Sequence, residues 1–169
     1  MALQKWAAPA GSPLLATATV AGDPGNQSLA GIDYLAYASD GDIAIGATLK
    51  AHMAGTLTTT GAPTAAVVLG LFGLPLDSVN ATPSGVTDRP WYVDATATVR
   101  SVDAAGTRTI SYSYRIVGLF ATDVVAVGTT TAGSGVGALG LVAGWDSGTD
   151  DADSGDIINI IVADALWIG

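Results

Sequence analysis

The stretch from Arg89 to Phe120 constrains the fold most, because apolar and polar side chains alternate along two consecutive segments of it. Between residues 91 and 101 the odd positions are apolar or small, and between residues 107 and 116 Ile and Tyr alternate with Thr, Ser and Arg. A period of two residues is typical of a strand with one buried and one solvated face. A tight turn at Asp103–Gly106 separates the segments, so the sequence predicts an antiparallel pair.

Strand-like patterns continue through most of the chain, and no helical period interrupts them. The other predicted strands are residues 33–38, 43–60, 64–74, 123–131, 139–145 and 157–168, and residues 75–90 are predicted to be irregular. Together this makes about eight strands, which indicates an all-β fold, either an antiparallel β-sandwich or a barrel. Residues 32–169 are predicted to form this single domain, and residues 1–31 an extended N-terminal arm.

The predicted arm is rich in Pro, Gly, Ala and Ser, and two interpretations of it stay open. It is either flexible, or ordered only against a neighbouring subunit or surface. Trp6 favours the second, because a large apolar side chain in such a segment gains most from a contact. Trp6, Leu14 and Leu15 are therefore the predicted partner-contact residues.

Composition excludes several classes of function. The chain has 6 Lys plus Arg against 15 acids, all of them Asp, for a net charge of −9, and such a surface repels nucleic acid. The longest apolar run, residues 65–76, has 12 residues. A spanning helix needs about 20, so neither a membrane span nor a signal peptide is predicted. The absence of cysteine excludes disulfides and thiolate zinc sites.

The sequence contains few residues suited to catalysis or metal binding. His52 is the only histidine and falls on the polar face of a predicted strand, so it is interpreted as a surface or interface residue. The only plausible cation site is an acidic loop, but its spacing departs from an EF-hand and a solvated loop is the favoured interpretation. The loop's acids are Asp150, Asp151, Asp153 and Asp156. No catalytic residue, cofactor or metal is predicted, and the protein is expected not to be an enzyme.

Aromatic and small side chains point to packing and association. Trp91 and the pair Tyr112 and Tyr114 are interpreted as core or subunit-interface residues rather than a sugar-stacking platform. The strands hold many Ala, Gly and Thr residues. Because apolar burial contributes about 25 cal/mol per Å², such strands gain little each, and further burial by self-association is predicted. A closed symmetric oligomer would also cover the sheet edges.

Three stretches resemble parts of the small jelly-roll proteins of tailed bacteriophage particles. They are LKAHMAGTLTTTGAPT at 49–64, RPWYVDATATVRSVDAAGT at 89–107 and LVAGWDSGTDDADSGDIINIIV at 141–162. The resemblance covers most of the predicted domain. It implies a trimeric jelly roll on the exterior of a virion, where capsid decoration proteins, head spikes and tail-tip modules use this fold.

Two functions follow as hypotheses from this resemblance. The first is a non-enzymatic capsid decoration (cement) protein, a homotrimer made in the host cytoplasm and bound on the outer face of the phage head to the major capsid protein or other virion proteins. The alternative is a tail-tip or spike module that binds a host-surface glycan through Tyr92, Trp145 and the acidic loop. A polysaccharide-cleaving enzyme is disfavoured, because no catalytic constellation can be picked out.

Overall fold

The computed structural model describes residues 4–5, 18–21, 29–34, 44–71, 74–132, 139–146, 152–153 and 155–168, and the structural statements that follow refer to these. They contain eleven β-strands and no helix. The strands are β1 (Gln4–Lys5), β2 (Ala18–Ala21), β3 (Leu29–Tyr34), β4 (Thr48–Thr58), β5 (Thr64–Leu71), β6 (Leu74–Ala81), β7 (Arg89–Val102), β8 (Arg108–Val117), β9 (Val124–Ala132), β10 (Leu139–Trp145) and β11 (Ile157–Ile168).

The strands form two antiparallel sheets. The larger sheet has the order β1-β11-β4-β7-β8-β9, with β2 also paired to β11, and the smaller has the order β3-β10-β5-β6. Every described strand pair is antiparallel. The predicted all-β class and the antiparallel β-sandwich are therefore confirmed.

The core lies between the two sheets and draws its side chains from both. The larger sheet contributes Leu49, Met53 and Trp91, and the smaller contributes Val67 and Leu141, all of them buried. Along β7, buried side chains alternate with more exposed ones, as the period-two pattern predicts. This alternation lets one face of each strand bury apolar surface while the other stays solvated.

The pairing of β7 with β8 confirms the predicted hairpin. Ala97 lies opposite Tyr112, and the register shifts once, between Val99 and Ser101. At the turn, Gly106 has a φ of 82°, a left-handed conformation that glycine adopts without strain. Oδ1 of Asp103 accepts hydrogen bonds of 2.8 Å from the backbone N–H groups of Ala105 and Thr107. The carboxylate therefore closes the turn.

These hydrogen bonds lead to a prediction about pH. The backbone N–H of Thr107, with further N–H donors of the turn, holds the pKa of Asp103 below its ordinary value of 3.8. Because the folded turn favours the ionised form, its stabilisation is present above the unfolded pKa and is lost as the pH falls through the folded pKa. We expect an NMR titration of the Asp103 carboxyl carbon to give a midpoint below 3.8. A midpoint at or above that value would show that these hydrogen bonds do not form in solution.

Two segments depart from the sequence-based expectation. The stretch predicted to be irregular, residues 75–90, contains most of β6, which pairs with β5 over its whole length. Pro75 is tolerated there because β6 is an edge strand of the smaller sheet. The predicted long strand 43–60 begins only at Thr48, since Gly46 adopts a φ of 96° in the preceding turn.

The predicted arm, residues 1–31, contributes strands to the sandwich. Both β1 and β2 pair with the edge of β11, and β3 crosses the predicted boundary between residues 31 and 32. Whether the arm acts as a separate anchoring segment stays a prediction. In the part of the chain described above, no helix has the length and hydropathy required to cross a membrane.

Candidate functional site

The outer face of the larger sheet carries a row of ionisable side chains, one on each of four neighbouring strands. Asp164 of β11 lies opposite His52 of β4, His52 opposite Asp94 of β7, and Asp94 opposite Arg115 of β8. Nδ1 of His52 lies 2.7 Å from Oδ1 of Asp94. The Arg115 guanidinium lies 5.7 Å from the centroid of the Tyr92 ring, within cation–π distance. Acidic and basic groups thus alternate across the sheet.

This charged row adds little to the stability of the sheet. The side chains of His52 and Asp94 are 37% and 59% exposed. Cross-strand pairs of opposite charge contribute about 0.2–1 kcal/mol, and exposed pairs fall within that range. His52 lies on the exposed face, as its position in the sequence pattern predicts. The row needs the pairing of four distant strands, so the sequence pattern alone does not reveal it.

A groove lies beside the charged row on the same face. It has a volume of about 750 Å³, and its mostly apolar lining includes Ala54, Tyr92, Val117 and Val162. A bulge in β11 between Ile160 and Val162 displaces the strand at this point. An extra residue unpaired in one strand bends it and re-aims its side chains. The groove is open to solvent, which suits an extended ligand or another protein surface.

The far edge of the larger sheet, strand β9, exposes apolar side chains. Val125 and Val127 are 71% and 80% exposed. On the opposite face of the hairpin, the rings of Tyr112 and Tyr114 stack with centroids 6.1 Å apart and planes 12° apart. Both rings are half-buried at the margin of the core, in agreement with their interpretation as core or interface residues. Val125 and Val127 have the highest exposed fractions of the large apolar side chains among the described residues.

The acidic loop before β11 is held by one of its own carboxylates. Asp156 is 1% exposed. Its carboxylate accepts hydrogen bonds of 2.7 Å from the backbone N–H groups of Thr60 and Asp153, and one of 3.1 Å from the Thr60 hydroxyl. It therefore fastens this loop to the turn after β4. Asp150 and Asp151 lie outside the described residues, within which no group of three or more His, Cys, Asp or Glu side chains is placed to hold a metal ion.

The remaining predicted site residues divide into three groups. The predicted arm contacts, Trp6, Leu14 and Leu15, lie outside the described residues. Trp145 is 2% exposed, so its predicted part in a glycan site is wrong: the side chain is used in the core. Tyr92 is half-buried on the outer face, where it lines the groove.

Comparisons with known protein families, with curated proteins and with solved structures found no match to this chain. The β9 edge is the feature that sequence reasoning missed. The signal was available, because residues 124–132 contain three valines and no ionisable side chain.

Proposed function

We propose that this chain is a jelly-roll structural protein of a phage particle, a trimeric capsid decoration protein that binds the outer face of the head. Its partners would be copies of itself and the major capsid protein or other virion proteins. It would act by burying surface between neighbouring capsid subunits, without chemistry of its own.

The order of the strands in the two sheets supports the jelly-roll part of the proposal. When β2 to β7, β10 and β11 are taken as eight successive strands, the sheets have the orders first-eighth-third-sixth and second-seventh-fourth-fifth. Successive strands thus alternate between the sheets, except that the fourth and fifth pair with each other in the smaller sheet, as two interleaved Greek keys require in a jelly roll. The hairpin β8–β9 is an addition that widens the larger sheet on one side. Viral capsid proteins are among the users of this fold, although fold alone does not determine function.

Surface composition supports an assembly role. Exposed apolar positions at Val125, Val127 and Ile161 lie on one face of the larger sheet, where they are available to another protein. Exposed apolar patches mark interaction sites in soluble proteins, and the pair Val125 and Val127 on β9 is separate from Ile161, which lies four strands away on β11. The stretches that resemble phage jelly-roll proteins lie on β4, β7, β10 and the first half of β11, which belong to the eight strands of the jelly-roll order.

The predicted anchoring segment gives a direct test. In a variant with Trp6, Leu14 and Leu15 all changed to Ala, we expect loss of binding to empty phage heads, because these side chains supply the apolar contact surface. Substitution is preferable to deletion, since β1 and β2 lie in the same part of the chain and pair with β11. Co-sedimentation with heads measures binding, and sedimentation equilibrium checks that the variant remains a trimer. Undiminished head binding would contradict the anchoring role, and a monomeric wild-type protein would contradict the trimer.

A second candidate function is binding of a host-surface glycan in the groove. The groove supports it, since it combines a half-buried aromatic ring, Tyr92, with polar groups of His52 and Thr56. A glycan array would show hits that the Tyr92→Ala variant loses. An array without hits would leave the decoration role as the better proposal.

A further inference from the structure

We infer that the outer edge of β9 is a self-association surface, where a second copy of this chain pairs antiparallel around a two-fold axis at Gly128. This goes beyond the proposed trimer, because a two-fold contact joins two copies without closing a ring of three. On a shell it would link one trimer to the next. The inference rests on the strand and its surroundings and does not depend on the proposed function.

The backbone at this edge is suited to pairing. The larger sheet ends at β9, and none of the strands described above pairs with its outer edge. Its register with β8 continues without a bulge from Ala132 opposite Arg108 to Val124 opposite Ile116. In an antiparallel pair, alternate residues point their N–H and C=O groups away from the neighbour, so β9 presents such groups outward. Natural edge strands are usually protected by Lys, Pro or a bulge, and β9 has none of these.

Charge favours a second copy as the occupant. The whole chain carries a net charge of −9, so two copies repel each other over most of their surfaces. Strand β9 contains no ionisable side chain, and two copies can meet there without bringing carboxylates together. A basic partner, by contrast, would be attracted electrostatically to the acidic surfaces of the chain, and this neutral edge would not attract it.

The valines and threonines of β9 are spaced so that two antiparallel copies of the strand bring each exposed valine opposite a threonine. Pairing centred on Gly128 places Val127 opposite Thr129 of the second copy and Val125 opposite Thr131 of the second copy. The valines, which are 71% and 80% exposed in one copy, then pack against threonine methyl groups on the same face of a continuous sheet. Val and Thr are both β-branched, and such cross-strand pairs stabilise sheets.

Gly128 has a specific reason to lie at the centre. A Cβ added there would lie 2.6 Å from the Tyr112 hydroxyl oxygen, so the ring lies directly over the glycine. An aromatic ring over a strand glycine replaces the packing that the missing side chain would provide. In the paired arrangement the two glycines adjoin, and the two Tyr112 rings lie side by side on the inner face.

The first test places a charge at this edge. We expect the Val127→Lys variant to weaken the two-fold contact by at least about tenfold in dissociation constant, because it removes the valine–threonine contact and places two lysines diagonally, about 7–8 Å apart, across the paired edges. Ile45→Lys is the matched control, since Ile45 is 65% exposed, receives the same charge and lies before β4. Sedimentation velocity over a concentration series measures both. Equal dissociation constants for the two variants would overturn the inference.

The second test determines the register between the two β9 strands, and it does not rely on a variant that weakens their association. The chain has no cysteine, so a Val127→Cys variant mixed with a Thr129→Cys variant can crosslink only through the introduced thiols. Directly opposed residues have Cα atoms about 4.5–5.5 Å apart, within reach of a disulfide. We expect oxidation to link the mixed pair in preference to either variant with itself, whose residues would be about 7–8 Å apart diagonally.

The outcomes separate this inference from the proposed function. Two results together support the two-fold contact, whether or not the protein binds heads. The mixed cysteine variants crosslink, and the Val127→Lys variant loses the assemblies larger than a trimer. A trimer that persists without any mixed crosslink overturns the inference and leaves the decoration role standing. If Val127→Lys abolishes head binding but leaves self-association unchanged, the edge binds a different protein and the inference is wrong.

Discussion

Replacing Gly55 with alanine is expected to prevent folding, or to reduce the free energy of unfolding by about 4 kcal/mol or more. Gly55 lies in β4 opposite Ile160 of β11, next to the bulge in that strand. A Cβ added at this position would lie 1.7 Å from the carbonyl oxygen of Asn159 and 2.8 Å from its carbonyl carbon. Both are backbone atoms, so no side chain can rotate away. To make room, β11 would have to move off β4 in the middle of the larger sheet.

The measurement is chemical denaturation of the purified variants, followed by circular dichroism or tryptophan fluorescence. Gly61→Ala is the matched control, because Gly61 is exposed in the turn after β4 and an added Cβ would meet nothing within 4 Å. Surface changes of this kind alter the free energy of unfolding by less than about 0.5 kcal/mol. A Gly55→Ala protein as stable as the control would show that β4 and β11 do not approach as closely as described.

The second large effect is expected from Asp156→Ala, which should reduce the free energy of unfolding by about 3 kcal/mol. The substitution removes the carboxylate that accepts hydrogen bonds from Thr60 and Asp153. A hydrogen bond to a charged group contributes about 1.5–3 kcal/mol, and because the three bonds share one carboxylate their contributions do not add in full. The turn after β4 and the loop before β11 would lose their connection.

Asp153→Ala is the control for this prediction, because Asp153 belongs to the same loop but its side chain is exposed. Removal of that carboxylate leaves its backbone N–H in place, so a change below about 0.5 kcal/mol is expected. The same denaturation experiment compares the two variants. Equal stabilities would indicate that the loop is held by other contacts and that Asp156 is only a solvated acid.

The sequence was informative where structure depends on local pattern. The period-two alternation of residues 91–101 identified β7, and the turn at Asp103–Gly106 identified its pairing with β8. Both follow from the geometry of a half-buried strand and a tight turn. The all-β class follows from the repetition of that pattern along the chain.

The sequence was less informative where structure depends on pairing between distant segments. The groove and the row from Asp164 to Arg115 require β11, β4, β7 and β8 to lie side by side, and the order of strands in a sheet is not encoded in any one strand. Asp156 was interpreted as part of a solvated loop, because its partner Thr60 lies 96 residues away in the chain. Trp145 was assigned to a possible glycan site, since alternation does not tell which face of a strand is covered.

The arrangement of the larger sheet links the stability predictions to the proposed role. Gly55 and Asp156 both hold β11 or its preceding loop against β4. The surfaces proposed for interaction, the groove and the β9 edge, lie on the same sheet. Variants at the β9 edge should therefore change association without changing stability, whereas variants at Gly55 should change stability first.

The proposed capsid decoration role is tested most directly by cryo-electron microscopy of the phage particle to which the proposal assigns this protein. We expect density for three copies of the sandwich, repeated at equivalent positions across the outer surface of the head. Density confined to the tail, or particles that lack the protein altogether, would contradict it.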